Sequence, residues 1–234
     1  MFRLTLIFIL LLNSQLSLAL FDCVKGVGPD ESKVRDLTGV SELVLRSSYD
    51  INIKHSRRER MEINGPKVII NNMVFVQIRL LFTIDHDRCV KDKDSLEITV
   101  YLSKLSLVKI LGASDVQVVD RFYGPKFSVV IAGAGDLVGD FNVKNLNIAI
   151  KGSGDVKVSG LAKILKVDIV GSGDVSALGL KSKSVVVNVK GSGDLGVNAS
   201  DNLDIKIYGS GDVRYKGRPK VNVAKYGTGN ISSI

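Results

Sequence analysis

Six aspartates recur at nearly constant spacing down the second half of the chain, and these are the side chains best placed to do chemistry. The column comprises Asp115, Asp136, Asp155, Asp174, Asp194 and Asp212. Repeated carboxylates can bind calcium, which takes about six to eight oxygen ligands. Carboxylates about 5 or 10 Å apart can also serve as the two catalytic acids of a glycoside hydrolase.

The regularity of the column argues against both kinds of chemistry. Calcium-binding β-rolls place Gly and Asp about every nine residues, whereas this chain offers one Asp in about nineteen. A catalytic pair needs different surroundings that separate the two pKa values, and near-identical sites do not supply them. We therefore predict that the carboxylates accept backbone N–H bonds in Asx-type turns, with a calcium ladder as the alternative.

Each aspartate ends a glycine-rich tetrapeptide, and the series marks one corner of a stacked repeat. The tetrapeptides are GASD at 112, GAGD at 133, GSGD at 152, 171, 191 and 209, and GTGN at 227. Their spacing of about 20 residues fits one coil of a solenoid. Corners stacked at strand spacing leave little room for Cβ atoms and require positive φ, which glycine tolerates. The predicted structural corner comprises Gly133, Asp136, Gly152, Gly154, Asp155, Gly171, Gly173, Asp174, Gly191, Gly193, Asp194, Gly209, Gly211 and Asp212.

The residues before each corner predict strands. Positions two, four and six residues before the first Gly are apolar, as in Ile150, Ile148 and Leu146, and polar residues alternate with them. A period of two with many β-branched residues indicates a strand with one buried face. A second apolar column follows each Asp, so each coil carries at least two short strands. The sequence thus predicts an all-β solenoid with about 18 to 21 residues per coil.

The chain as a whole divides into three predicted segments. Residues 1–19 are predicted to be a signal peptide, because Arg3 precedes an apolar run and Ser17 and Ala19 suit cleavage after Ala19; an uncleaved anchor is the alternative. Residues 20–33 form an N-terminal extension, and 34–234 form the solenoid, with irregular coils over 34–111 and regular ones over 112–234. The SSYD at 47–50 resembles a degenerate corner, and the stretch from 47 to 112 leaves room for about three coils. Separate domains are the alternative.

The remaining reactive side chains are few. Cys23 and Cys89 are the only cysteines, and in an oxidising compartment we expect them to pair, with two free thiols as the alternative. His55 and His86 lack neighbouring ligands, so no metal and no cofactor is predicted. The sequons at Asn198 and Asn230 matter only in a eukaryotic secretory route.

Positive charge is the main hint of a partner. The formal net charge is +8, and the densest cluster, KHSRRER at 54–60, makes Arg57, Arg58 and Arg60 candidate ligand contacts. Lysines on the polar strand face act either as protection against edge aggregation or as an attraction to anionic surfaces. Nucleic acid is disfavoured by predicted export and by the lack of a recognition motif. After signal cleavage no membrane span is predicted.

These residues together resemble a known family. The run of GAGD and GSGD corners, RYKGRP at 214–219, and the segments LVLRSSYDINI and DSLEITVYLSKLSLVKILGASD are similar to the putative auto-transporter adhesin, head GIN domain family, over about residues 34–234. The resemblance implies a single-stranded, right-handed parallel β-helix on an exported protein, and it carries over no catalytic residues.

Two functions follow as hypotheses. The favoured one is a secreted or cell-envelope binding or adhesion module, without catalysis, that contacts an anionic polysaccharide or another cell-surface component. The alternative is a polysaccharide lyase or hydrolase, which should interrupt the repeat where its acids and bases cluster. The corners from 133 to 212 hardly vary and Trp is absent, so we favour the binding module.

Overall fold

The chain folds into stacked coils of β-structure around one continuous apolar core. A computed structural model describes residues 23–91 and 95–234. The strands form parallel coils in a β-solenoid of about seven turns, which confirms the predicted fold class. The predicted signal peptide at 1–19 and the first residues of the predicted extension lie outside the described residues.

Residues 23–91 and 95–102 contain seven strands and one short helix. Their bounds are β1 Asp30–Asp36, β2 Glu42–Leu45, β3 Ile51–His55, β4 Arg60–Pro66, α1 Lys67–Ile70, β5 Met73–Ile78, β6 Leu81–His86 and β7 Glu97–Leu102.

Along the regular coils, a single long strand makes up most of the chain between two corners. The bounds are β8 Leu107–Ile110, β9 Val116–Ile131, β10 Leu137–Gly152, β11 Val156–Gly171, β12 Val175–Gly191, β13 Leu195–Gly209, β14 Val213–Lys216, β15 Lys220–Lys225 and β16 Ile231–Ser233. From β9 to β13 each strand pairs in parallel with the next, so equivalent residues of successive coils lie directly above one another.

The N-terminal coils do not stack in sequence order. Strand β2 lies between β6 and β8, and β3 lies between β7 and β9, all in parallel pairs. The SSYD corner therefore contacts the GASD corner directly, and Ala113 N donates to Ser47 O at 3.2 Å. The prediction of three coils between these two corners is wrong. The intervening chain supplies the coil on the other side of β2 and β3, together with an end layer.

That end layer is antiparallel and covers the first coils. Strand β4 runs antiparallel to β7, β1 runs antiparallel to β4, and β5 runs antiparallel to β6. The alternation of apolar and polar residues is the same in parallel and antiparallel pairs, so the sequence pattern did not reveal this arrangement.

The core is built from the stacked apolar columns that the sequence indicates. The column of Leu146, Leu165, Val185 and Leu203 is fully buried, and so are its neighbours two and four residues later in the regular coils. Phe127 and Phe141 stack with ring centroids 4.2 Å apart. Each such buried side chain contributes on the order of 1.5 to 3 kcal/mol, provided that the next coil covers it.

Differences in coil length are absorbed mainly in the part of each coil that follows a corner. The register shifts at Gly139/Phe141, at Lys157/Ser159 and between Ala177 and Lys181 lie there, and a further shift at Ser182/Ser184 lies in the middle of its coil. These bulges take up the extra residues of the longer coils. The corners and the strands leading to them consequently stay in register although the coils differ in length.

A disulfide attaches the beginning of the described chain to the stack. Cys23 and Cys89 are bonded, with their Cα atoms 4.6 Å apart. Val24 N donates to Cys89 O at 2.7 Å, and Lys91 N donates to Val24 O at 3.0 Å. Within residues 23–91 and 95–234, no helix has both the length and the apolar character needed to cross a membrane.

Candidate functional site

The aspartate column forms hydrogen bonds between coils. Oδ1 of Asp155 accepts the backbone N–H of Asp174 at 2.8 Å, and Oδ1 of Asp174 accepts that of Asp194 at 2.7 Å. The same bond recurs from Asp115 up to Asn230 at 2.7 to 3.0 Å. The carboxylates accept backbone N–H groups as expected, but the donors belong to the next coil and not to a local Asx turn. Each carboxylate thus offsets the repulsion within the column by bonding to its neighbour's backbone.

The corner glycines are required by close approach of the coils. A Cβ on Gly171 or on Gly173 would lie less than 3.0 Å from a carbonyl oxygen of the coil below. Gly171 also has a φ of +136°, whereas Gly173 has no positive φ, so only the first glycine meets the conformational expectation. The corners therefore have a structural role in holding the stack.

Ser114 occupies a position where the later corners have glycine, and its side chain forms hydrogen bonds with the SSYD corner. Its hydroxyl donates to Ser47 O at 2.9 Å and lies 3.2 Å from the Ser47 hydroxyl. Both side chains are buried.

The predicted arginine cluster is only partly available to a ligand. Arg60 pairs with Glu62 at 2.7 Å and lies over the Tyr101 ring, 3.7 Å from its centroid. The hydrogen bond from Arg60 holds the pKa of Glu62 below its usual value. Arg58 lies 3.6 Å from Asp36 on a well-exposed surface, and Arg57 is exposed. Arg60 therefore stabilises the first coils, while Arg57 and Arg58 face solvent.

A large cleft lies elsewhere, along the outer surface of β9 to β13. Its volume is about 700 Å³. The floor includes Val143 and Ala162, and Leu161 lies beside them. Lys144, Lys163 and Lys183 line it in a single register column, and Lys181, Ser182 and Asn198 also contribute to its walls.

Our sequence interpretation did not single out this cleft, although a signal for it exists. Lys144, Lys163 and Lys183 each lie eight residues before the first Gly of the following corner. Aligning every position of the repeat, and not only the apolar ones, would have placed the three lysines in one column. That they border a cleft is shown only by the tertiary structure.

The histidines and the sequon asparagines lie apart from one another in the described part of the chain. Among residues 23–91 and 95–234, no three His, Cys, Asp or Glu side chains are grouped as metal ligands. His55 packs against Phe122 and His86 against Tyr49, each in an edge-to-face contact. Of the two sequons, Asn198 donates a side-chain hydrogen bond to Leu178 O at 3.4 Å, and Asn230 is exposed.

Comparison with protein families gives one decisive result. Residues 40–219 match the family described as putative auto-transporter adhesin, head GIN domain. The chain belongs to this family. Membership in the head GIN domain family agrees with the resemblance carried by the repeated corners, and it associates the protein with adhesion outside the cell or at its surface. Comparison with curated proteins gives no match.

Solved structures show that the head GIN fold extends over nearly the whole chain. A putative adhesin from Bacteroides fragilis NCTC 9343 aligns with a TM-score of 0.84 at 22% identity, covering 90% of this chain and 100% of the other. A putative lipid binding protein from Parabacteroides distasonis ATCC 8503 gives 0.78 at 19% identity, covering 91% and 100%. A putative adhesin from the same organism gives 0.75 at 23% identity, with the same coverage. At these identities the likeness concerns the fold.

Proposed function

We propose that this protein is an exported, non-catalytic binding module that attaches to an anionic polysaccharide or a similar acidic component of a cell surface. The observation that carries the proposal is the column of exposed lysines presented in register along the solenoid. Stacking of near-identical coils repeats a cation at strand spacing, about 4.8 Å, and so creates a linear array of positive charge. An acidic polymer offers a matching linear array of negative charge.

A binding role without catalysis is supported by the state of the carboxylates. In the aspartate column, one oxygen of each side chain is already used to accept the N–H group of the next coil. The corner environments are nearly the same, so they give no reason for one carboxylate to stay protonated while its neighbour ionises. The polysaccharide-processing alternative gains no support from this arrangement.

Export is supported by three observations. The first residues have the pattern of a signal peptide, the family is one of putative adhesins, and Cys23 is joined to Cys89. Disulfides persist mainly in oxidising compartments outside the cytosol. We therefore propose that the protein works in the extracellular space or at the cell envelope.

The proposal is tested by measuring binding of the purified protein to a glycan array and to whole cells at low and physiological salt. We expect binding to acidic glycans that weakens steeply with salt, because exposed charges are screened over about 8 to 10 Å. Replacing Arg57, Arg58 and Arg60 together should weaken it, chiefly through the two solvent-facing arginines. Binding that is indifferent to salt would contradict the electrostatic basis of the proposal. Release of reducing ends or unsaturated sugars from any polysaccharide would replace it with the enzymatic alternative.

A further inference from the structure

The cleft on β9 to β13 has lysine ammonium groups that no carboxylate of the described residues neutralises. Lys144, Lys163 and Lys183 are exposed, and within residues 23–91 and 95–234 none of them forms an ion pair or a side-chain hydrogen bond. Elsewhere on the stack, by contrast, Lys166 pairs with Asp168 at 3.0 Å.

Stacking these three lysines in register has a cost for the protein alone. Like charges at directly opposed positions of neighbouring strands destabilise a sheet. A bound anion on each coil would offset that repulsion, so the lysine column has a lower electrostatic energy with a ligand than without one.

The cleft also offers apolar surface, with a buried serine in its lining. Leu161 is 45% exposed within it, while Val143 and Ala162 form its buried floor. Ser182 follows Ala162 in the same register column and is 4% exposed. In the described part of the chain its hydroxyl has no hydrogen-bond partner. Because that oxygen is itself buried, the groups of the cleft that a ligand can reach are the lysines and Leu161.

From these features we propose that the cleft binds a linear, carboxylate-bearing polysaccharide whose chain runs parallel to the solenoid axis. The carboxylates would pair with Lys144, Lys163 and Lys183, and the C–H face of a sugar ring would cover Leu161. The inference rests on the proposed function, since it names the surface and the class of polymer through which binding occurs.

A repeating polymer fits the cleft better than a single anionic head group. The three cations repeat along the axis at about 4.8 Å and span roughly 10 Å, which one carboxylate or phosphate cannot cover. A pyranose chain with one carboxylate per sugar carries charges at a comparable repeat. Affinity should therefore rise with chain length until the oligomer spans all three lysines.

The first test removes the lysine charges and compares the result with an equal loss of charge elsewhere. The cleft variant is Lys144→Gln/Lys163→Gln/Lys183→Gln. The control is Lys151→Gln/Lys157→Gln/Lys206→Gln, which changes three exposed strand lysines that do not line the cleft. Binding is measured by calorimetry with oligogalacturonates of increasing length and with their methyl-esterified forms, which keep the sugar backbone but lose the charge.

We expect the cleft variant to lose affinity for oligogalacturonate by about tenfold or more, since three exposed ion pairs are removed. The control variant should lose affinity by about threefold or less. The methyl-esterified oligomers should bind to neither variant. Equal losses in both variants would overturn the cleft assignment. The same loss with anionic phospholipid vesicles, without any binding of oligogalacturonate, would overturn the choice of a polysaccharide.

A second test uses one substitution in a single coil. Leu161→Glu introduces a negative charge into the cleft, and Val170→Glu introduces it outside the cleft on the same strand, at a residue that is 48% exposed. Only Leu161→Glu should abolish binding of oligogalacturonate, while both variants should keep the wild-type melting temperature to within a few degrees. Equal binding by the two variants would contradict the proposal.

Failure of the inference can be told apart from failure of the proposed function. If the wild type binds acidic glycans or cells and the cleft variants bind as well as it does, the cleft assignment falls and the proposed function stands. If the wild type binds no acidic glycan and no cell surface, both fall together.

Discussion

Replacing Gly173 by Ala is the most direct perturbation of the stacked corner. A Cβ at this position would lie less than 3.0 Å from the carbonyl oxygen of Gly154, and 3.0 Å from a methyl carbon of Ile150. An ordinary contact begins at about 3.4 Å. The coil must therefore move away from the one below it, because the obstacle is backbone and cannot rotate aside.

The cost of that movement can be worked from the bonds around the corner. Asp174 N donates to Asp155 Oδ1 at 2.8 Å, Val156 N donates to Asp174 O at 2.9 Å, and Ser172 N donates to Gly152 O at 3.0 Å. Each such bond contributes about 1 kcal/mol net. Weakening all three should lower the free energy of unfolding by about 2 to 3 kcal/mol, and the melting temperature by roughly 5 to 10 °C.

The sign of the effect makes the assay decisive. Gly→Ala normally stabilises a compatible site by about 0.4 to 1 kcal/mol through the unfolded state. Far-ultraviolet circular dichroism during thermal and urea unfolding would compare Gly173→Ala with Ser172→Ala, an exposed change in the same corner that should stay within about 0.5 kcal/mol of the wild type. A melting temperature for Gly173→Ala at or above that of Ser172→Ala would refute the close-approach argument.

Four further outcomes are expected. Replacing Cys23 and Cys89 by Ser should lower the free energy of unfolding by about 2 to 4 kcal/mol, because the disulfide closes a loop of 66 residues; unchanged urea midpoints would contradict this. Burial, aided by the charge of Asp85, raises the pKa of Tyr49 to about 12. Stability present below pH 10 should thus be lost as the pH rises toward 12, and alkaline unfolding of Tyr49→Phe should lack that dependence. Millimolar calcium should leave the melting temperature unchanged, and a rise reversed by chelator would instead reveal a calcium ladder. Lys225→Ile should promote association visible by light scattering, because Lys225 pairs with Ile207 of the inward column and its charge disfavours contact with another coil; a monomer at all concentrations would exclude that role.

The last coil shows how well a residue's position in the repeat predicts where its side chain lies. The spacing puts Lys225 where earlier coils have Ile or Val, and the structure pairs it with Ile207. Its ammonium group donates to Gly229 O at 3.1 Å. The sequence indicated the register column in which Lys225 lies. The hydrogen-bond partner of its ammonium group depends on the position of the last corner, which only the structure gives.

The alternation of apolar residues and the glycine corners were enough to establish the architecture. Ile148 and Val167 each have further apolar residues two positions before and two positions after them. A Gly-rich corner that recurs about every 20 residues is compatible with few folds other than stacked coils. Both signals are local or strictly periodic, so they can be read from one chain without knowing which strands pair.

Tertiary structure alone decided three matters, and each depends on contacts between distant residues. The order of the first coils places β2 between β6 and β8, although the period-two pattern is the same for any neighbour. The donors to the aspartate column belong to the next coil because the corners superpose, which a local turn preference could not indicate. The lysine-lined cleft exists because the coils stack in register, which brings Lys144, Lys163 and Lys183 to one surface. The sequence by itself determined the repeating unit, and the register between coils determined what those units together present to a ligand.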